Sequence, residues 1–364
     1  MRKIDIIVGV RPDFIKIAAL NHSIKDFSET FDVRYIHTGQ HYDPELSHDI
    51  IESLDLKPIH SYLEILPIAG IGTLSSIMVA YENQIRYDAP DLVLVVGNSD
   101  SALGCSLVAS RFQIPLGHIG SGIRSHNPIQ TEENNDKLID QLSTFHFTSN
   151  EESVINLIRE GYDNRDILEV GNLGADAVFA NLGFAEDSTI LDRYGLDAGS
   201  YVVVTVHHDY SLSQQDFLIS LFTMLEGLSE QVRVYVVLHP KTTIVLEDIP
   251  EIILDSSENL QFIPSQNYHD MLKLVKNAAL VITDSQGLQD ETTVLGVQCL
   301  TLGEFSNRPI TLSKGTNTLM GLDVPNLKKT ILSVMDGDRI DGIPIDGWDG
   351  KAGQRLLKFL SEIE

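Results

Sequence analysis

Three groups of residues in this chain have types and spacings that could do chemistry. The first is Val281-Ile-Thr-Asp-Ser-Gln-Gly-Leu-Gln-Asp-Glu-Thr292, where an apolar run ends in small polar residues and helix formers. Residues 278–283 read as a buried strand, and Ser285 as the N-cap of a helix that continues through Gln286 and Gly287. A helix tip at the carboxyl end of a parallel strand offers free N–H groups and partial positive charge, which suits a phosphate or pyrophosphate. Gly287 would let the anion come close, and Glu291, a turn on, could accept hydrogen bonds from a ribose diol. The second group is Gly9-Val-Arg-Pro12 with Lys16, where an apolar run over 4–8 meets a turn and Pro12 fits a first helical turn. Arg11 and Lys16 then lie at one strand end, where cations favour an anionic ligand. The third group is acid and imidazole: Glu132-Glu133 and His207-His208. By residue type alone these read as a charged first helical turn and as histidines closing a strand.

The elements that would position them alternate along the chain. Strands are predicted at 32–37, 91–97, 114–119, 145–148 and 167–170, with helical periodicity at 44–54, 74–85, 103–111, 137–142 and 151–160. The alternation then restarts, with strands at 201–206, 233–238, 259–263, 278–283 and 298–302. Polar and glycine-rich turns follow the strands. This is the pattern of an α/β protein with two doubly wound, Rossmann-like domains, whose strand ends are expected to face each other across a cleft. The expected division is an N-terminal domain over 1–172, a nucleotide-binding domain over 173–350, and a terminal helix at 351–364 that could return to the first domain.

Composition narrows the function. The chain has 364 residues, 43% hydrophobic and 21% charged, and a formal net charge of -26. Such a charge repels nucleic acid and anionic membranes, so neither is expected as a partner, and an anionic ligand would need a local basic pocket. No uninterrupted apolar tract of about 18 residues is present and the start carries no signal-peptide pattern, so a cytoplasmic location is expected. Cys105 and Cys299 lie apart in apolar segments, as buried free thiols would. Histidines and acids show no metal-ligand spacing, so neither metal nor cofactor is expected.

Taken together, the motifs resemble the non-hydrolysing UDP-N-acetylglucosamine 2-epimerases, of glycosyltransferase-B-like fold. The resemblance rests on Gly9-Val-Arg-Pro with Lys16, Thr38-Gly-Gln-His41, Gly122-Ile-Arg124, Glu132-Glu133, Gly171-Asn172, His239-Pro240, the run 283–291, Arg308-Pro309 and Gly315-Thr-Asn317, in order and spacing. It implies that Ser285, Gln286, Gly287 and Glu291 hold UDP, and that Arg11, Lys16, His239 and Arg308 meet uridine, phosphate or sugar. It further implies that Gln40 and His41 lie near the active site and a second UDP-sugar site, and that the protein is a homodimer. In the family, UDP is eliminated to give a 2-acetamidoglucal and then re-added, with a proton returned to the other face of C2. Glu132 and His207 are the implied acid/base residues.

The chain also departs from the family pattern. Gly-Asp-Thr is Gly97-Asn98-Ser99 here, and Val-Glu-Ala-Gly-Leu-Arg is Ile119-Gly120-Ser121-Gly122-Ile123-Arg124, so two carboxylates are missing. A family arginine is Asp136, His-Arg is His207-His208, and a glycine pair is Gln286-Gly287. Asn98 remains a substrate-binding candidate, and Asp100 is a conceivable substitute for the lost carboxylate. Tyr268 could lie near the uracil or simply pack. Two readings therefore stay open: an epimerase acting on a UDP-sugar, or a paralogue that binds a UDP-sugar without epimerising it, as a regulatory or partner protein. A UDP-sugar hydrolase or a glycosyltransferase would be more distant variants.

Overall fold

The computed structural model describes residues 1–40, 50–51, 53–54, 56–65, 70–127 and 130–363. The expected helix at 44–54 falls largely outside them, as does His41. The chain divides into two units, Met1–Ala180 with Ile345–Glu364, and Asn181–Pro344. The division lies within the helix Leu173–Glu186.

In the first unit the strands are β1 (Arg2–Val8), β2 (Phe31–His37), β3 (Ser61–Tyr62), β4 (Leu92–Val96), β5 (Leu116–Ile119), β6 (Phe145–Thr148) and β7 (Ile167–Glu169). They form one sheet in the order β3-β2-β1-β4-β5-β6-β7, and every pairing is parallel. β4 reads Leu-Val-Leu-Val-Val and is wholly buried, as a central strand covered on both faces should be. Because the order runs outward in both directions from β1 and β4, the loops after those two strands diverge. That leaves a crevice at their carboxyl ends.

The second unit repeats the plan with β8 (Tyr201–Thr205), β9 (Arg233–Leu238), β10 (Leu260–Pro264), β11 (Leu280–Thr283), β12 (Cys299–Leu302) and β13 (Asn317–Gly321). Their order is β10-β9-β8-β11-β12-β13, again all parallel, with the switch between β8 and β11. Each unit is therefore a doubly wound, Rossmann-like layer structure with its own apolar core.

Local sequence explains the helix ends that matter. Asn150 caps Glu151–Glu160, which stops at Gly161 with φ 96°, and Ser285 caps Gln286–Leu295, which stops at Gly296 with φ 69°. The last helix, Ala352–Glu362, packs on Arg11–Ile24, where Gly353 lets the two backbones approach beside Leu20 and Ser23. Arg355 donates to the Val170 carbonyl at 2.6 Å and Trp348 to that of Ser149 at 3.0 Å.

Several elements differ from the sequence expectation. The helix expected at 137–142 begins at Thr131, so Glu132 and Glu133 form its acidic first turn. β3, β13 and the helices Gln215–Leu228, Pro240–Glu247, Pro309–Ser313 and Val324–Met335 went unanticipated. β3 is only two residues long and β13 carries Asn317 and Gly321, so neither shows strand periodicity. No described helix is long and apolar enough to cross a membrane.

Candidate active site

The edge of the first sheet is built around close approaches that only small residues permit. A Cβ on Gly9 would lie 1.9 Å from Ser101 Oγ and 2.7 Å from Thr38 Oγ1, so β1 can meet the loops after β2 and β4 only with glycine there. Thr38 Oγ1 and Ser101 Oγ are 2.7 Å apart, and Gln40 Oε1 accepts from Ser101 N at 3.0 Å and Ser101 Oγ at 2.7 Å. Gln40 thus ties the β2 loop to the helix Asp100–Arg111. Arg11 opens the helix Arg11–Ile24, and Asp13 accepts from Gly9 N at 3.0 Å and Val10 N at 3.1 Å. Burial pushes the Asp13 carboxyl up to about 6, against the lowering pull of those N–H groups and of Lys16. Lys16 reaches toward the β4 loop, its Nζ 3.9 Å from where a Cβ on Gly97 would be.

After β4 the backbone turns at Gly97 with φ 64° and presents Asn98. Asn98 Nδ2 donates to Asp136 Oδ2 at 2.8 Å, and the Asn98 carbonyl accepts from Asn135 Nδ2 at 2.9 Å. Asp100 is raised by burial, with the Asn135 amide opposing and the neighbouring Glu132 adding to the rise. Glu133, by contrast, is spent within the unit: it accepts from Ser125 N at 2.7 Å and Ser125 Oγ at 2.9 Å and pairs with Lys137. Gly120 turns with φ 96°, and a Cβ there would meet only Ile123 Cδ1 at 3.9 Å.

Behind this edge sits Asp140, fully buried. It accepts from His118 Nδ1 at 2.6 Å, Ser121 Oγ at 2.5 Å, Gly122 N at 3.1 Å and Arg124 Nη2 at 2.7 Å. His118 and Arg124 hold its carboxyl well below the usual range despite the burial. His118 Nε2 faces the Gly97 carbonyl at 3.0 Å, so the ring links this buried anion to the β4 turn. Arg124, 2% exposed, also pairs with Glu160 and is structural.

The edge of the second sheet is simpler. Thr205 and Thr283 hydroxyls join β8 to β11 at 2.6 Å, and Asp284 accepts from His207 N at 3.1 Å and His208 N at 3.0 Å. The His207 ring lies 3.5 Å from Asp284 and stacks on the His239 ring, centroids 5.7 Å apart. His239 caps the helix Pro240–Glu247 through Lys241 N at 3.1 Å. Ser285 N donates to Thr283 Oγ1 at 2.9 Å while Ser285 Oγ accepts from Leu288 N at 3.4 Å. A Cβ at Gly287 would meet only Ser285 Oγ, at 3.8 Å, so the space over this helix tip is open. Gln286 is half-buried and Glu291 is buried on the same helix. Arg308 is buried, with Nε on Asp290 Oδ2 at 3.0 Å and Nη1 on the Asn307 carbonyl at 2.7 Å. Tyr268 is buried at the start of Tyr268–Lys276.

A family model described as UDP-N-acetylglucosamine 2-epimerase matches residues 25–361. The UDP-N-acetylglucosamine 2-epimerase of Methanococcus maripaludis is 32% identical, the alignment covering 99% of this chain and 98% of that one. The chain belongs to the UDP-N-acetylglucosamine 2-epimerase family. Within that family, the UDP-2,3-diacetamido-2,3-dideoxy-D-glucuronate 2-epimerase of Pseudomonas aeruginosa is 30% identical, over 99% of this chain and 100% of its own. The crystal structure of the Methanocaldococcus jannaschii UDP-GlcNAc 2-epimerase in complex with UDP-GlcNAc and UDP superposes with a TM-score of 0.92. It shares 29% identity, with 99% of both chains covered.

For this 2-epimerase family member, the structure groups Arg11, Lys16, Gln40, Asn98 and Glu132 by the loops and helix tips they occupy at the first sheet's carboxyl edge. His207, His239, Ser285, Gln286 and Gly287 occupy the second sheet's edge. Asp13, Asp140 and Asp284 are anchors that sequence reasoning did not single out. Asp13 could have been found, since an acid just inside a helix start can accept the orphan N–H groups there. Asp140 and Asp284 could not, because their donors lie 16–22 and 76–77 residues away in the chain. Among the described residues, no group of three histidines, cysteines or acids is placed to hold a metal ion.

Proposed function

We propose that this protein binds a UDP-sugar and inverts its C2 centre, interconverting UDP-N-acetylglucosamine and UDP-N-acetylmannosamine. The observation that carries this reading is the open helix tip at Ser285–Gly287, placed at the switch point of a parallel sheet in a member of this family. A diphosphate there accepts from the free N–H groups of the first turn, and Glu291 takes the ribose. Arg11 and Lys16 add positive charge against a net charge of -26. The reaction removes the C2 hydrogen as a proton, turns that electron pair into a C1=C2 double bond, and expels UDP with the C1–O pair. Re-addition reverses these steps with the proton delivered to the other face. Glu132 and His207 are the proton-transfer candidates, and each such group typically contributes about 10²–10⁴-fold in rate. Homodimerisation and a cytoplasmic location belong to this reading.

A second reading, a paralogue that binds UDP-sugar without turnover, is favoured by Asn98 and Gly120, where the family pattern has carboxylates. Incubation with UDP-N-acetylglucosamine in deuterated water separates the two. Deuterium at C2, with the manno epimer, is expected of the epimerase. UDP binding with no exchange identifies the paralogue, and free UDP with released sugar identifies a hydrolase.

A further inference from the structure

We propose that Asp136 is the carboxylate that exchanges the C2 proton at the first sheet's edge, and that Asn98 is its positioning residue. This rests on the epimerase reading above. Asn98 stands at the head of β4, beside the switch point, but a carboxamide holds no exchangeable acid proton at neutral pH. The structure nevertheless puts a carboxylate in hydrogen-bond contact with it, Asp136 Oδ2 at 2.8 Å from Asn98 Nδ2.

Asn98 is well placed to orient that carboxylate, because its backbone is pinned on both sides. Its own carbonyl accepts from Asn135 at 2.9 Å, and the preceding Gly97 is held through its carbonyl by His118 at 3.0 Å and through its N–H by Ile119 O at 3.0 Å. Asp136 also follows Glu132 by four residues on the helix Thr131–Leu142, so the two carboxylates share a face.

In the proposed step the Asp136 carboxylate takes the C2 proton, the C2–H pair forms the C1=C2 bond, and the C1–O pair leaves with UDP. Re-addition consumes UDP and takes a proton for the other face of C2 from a second acid/base group; Asp136 then gives its proton to solvent and that group regains one, so the cycle balances without a further reactant.

The test measures C2 deuterium exchange in UDP-N-acetylglucosamine together with UDP affinity by calorimetry. Asp136→Asn should slow exchange by about 100-fold or more while UDP affinity holds within about threefold. Asp136→Glu should keep part of the exchange. Asn98→Asp alone should lose exchange, because it sets two carboxylates against each other. Combining Asn98→Asp with Asp136→Asn remakes the hydrogen bond in reverse and should restore stability in urea unfolding but only part of the exchange, whereas a merely structural contact would restore both fully. Wild-type exchange in Asp136→Asn would overturn the assignment while leaving the epimerase reading intact. No exchange in the unaltered protein would overturn both.

Discussion

The edges of the two sheets share a topology and differ in what they are made from. At the second, the groups on offer are largely backbone: the N–H groups of Gln286 and Gly287, with Asp284 and Thr283 holding the turns in place. At the first the groups gathered at the edge are side chains, Asn98, Asp100, Glu132 and the buried Asp136, with Asp140 tied to the β4 turn through His118. A backbone site tolerates side-chain change, which is consistent with Gln286 standing where the family pattern has glycine. A side-chain site does not, and the departures at Asn98, Gly120 and Asp136 all fall in the first unit. Conservation of the fold therefore speaks strongly for anion binding and less directly for proton transfer.

This contrast can be broken or sharpened by substitution. The largest effect is expected from Asp140→Asn, which takes the buried anion from His118, leaves Arg124 paired only with Glu160, and should cost roughly 3–5 kcal/mol in urea unfolding. The counterpart in the second unit, Asp284→Asn, loses acceptors for two backbone N–H groups and should cost about 1–3 kcal/mol. Equal losses would contradict a side-chain frame in one unit and a backbone frame in the other. Gly9→Ala drives a methyl into Ser101 and should cost about 1–3 kcal/mol in the same assay. Ser285→Ala removes an N-cap, about 1 kcal/mol, and should weaken UDP binding without touching the first unit.

The smallest effect is on pH dependence. The Asp13 carboxyl is raised in the fold, so its contribution is fully present below its ordinary value of 3.8 and is lost as pH rises through about 6. Asp13→Asn should flatten stability between those values. The Asp140 carboxyl is depressed, so its contribution holds above the ordinary range and is lost only as pH falls through the lower folded value. Besides its overall loss of stability, Asp140→Asn should therefore flatten only the acid limb of the pH profile.

Much of this was legible in the sequence, for identifiable reasons. Runs such as Leu92–Val96 and Tyr201–Thr205 are apolar throughout because both faces of a parallel strand are covered, and the turns after them carry the small residues that close approach requires. The cap at Ser285 is local chemistry and reads directly. The contact between Asn98 and Asp136 does not, since 38 residues separate them and only the packing of Thr131–Leu142 against Asp100–Arg111 and β5 brings them together. The sequence marked each as a departure from pattern but could not pair them. Gly120 is a related lesson. The space around it would admit a side chain, yet its φ of 96° disfavours one, so Gly120→Glu would add backbone strain of about 1–2 kcal/mol along with a carboxylate.

The most direct test of the claim that the second unit's helix tip holds the diphosphate is amide hydrogen exchange of the whole chain with and without UDP. Slowed exchange at 286 and 287, with the effect reduced in Ser285→Ala, is the expected result. UDP that binds while leaving those amides unprotected would contradict it.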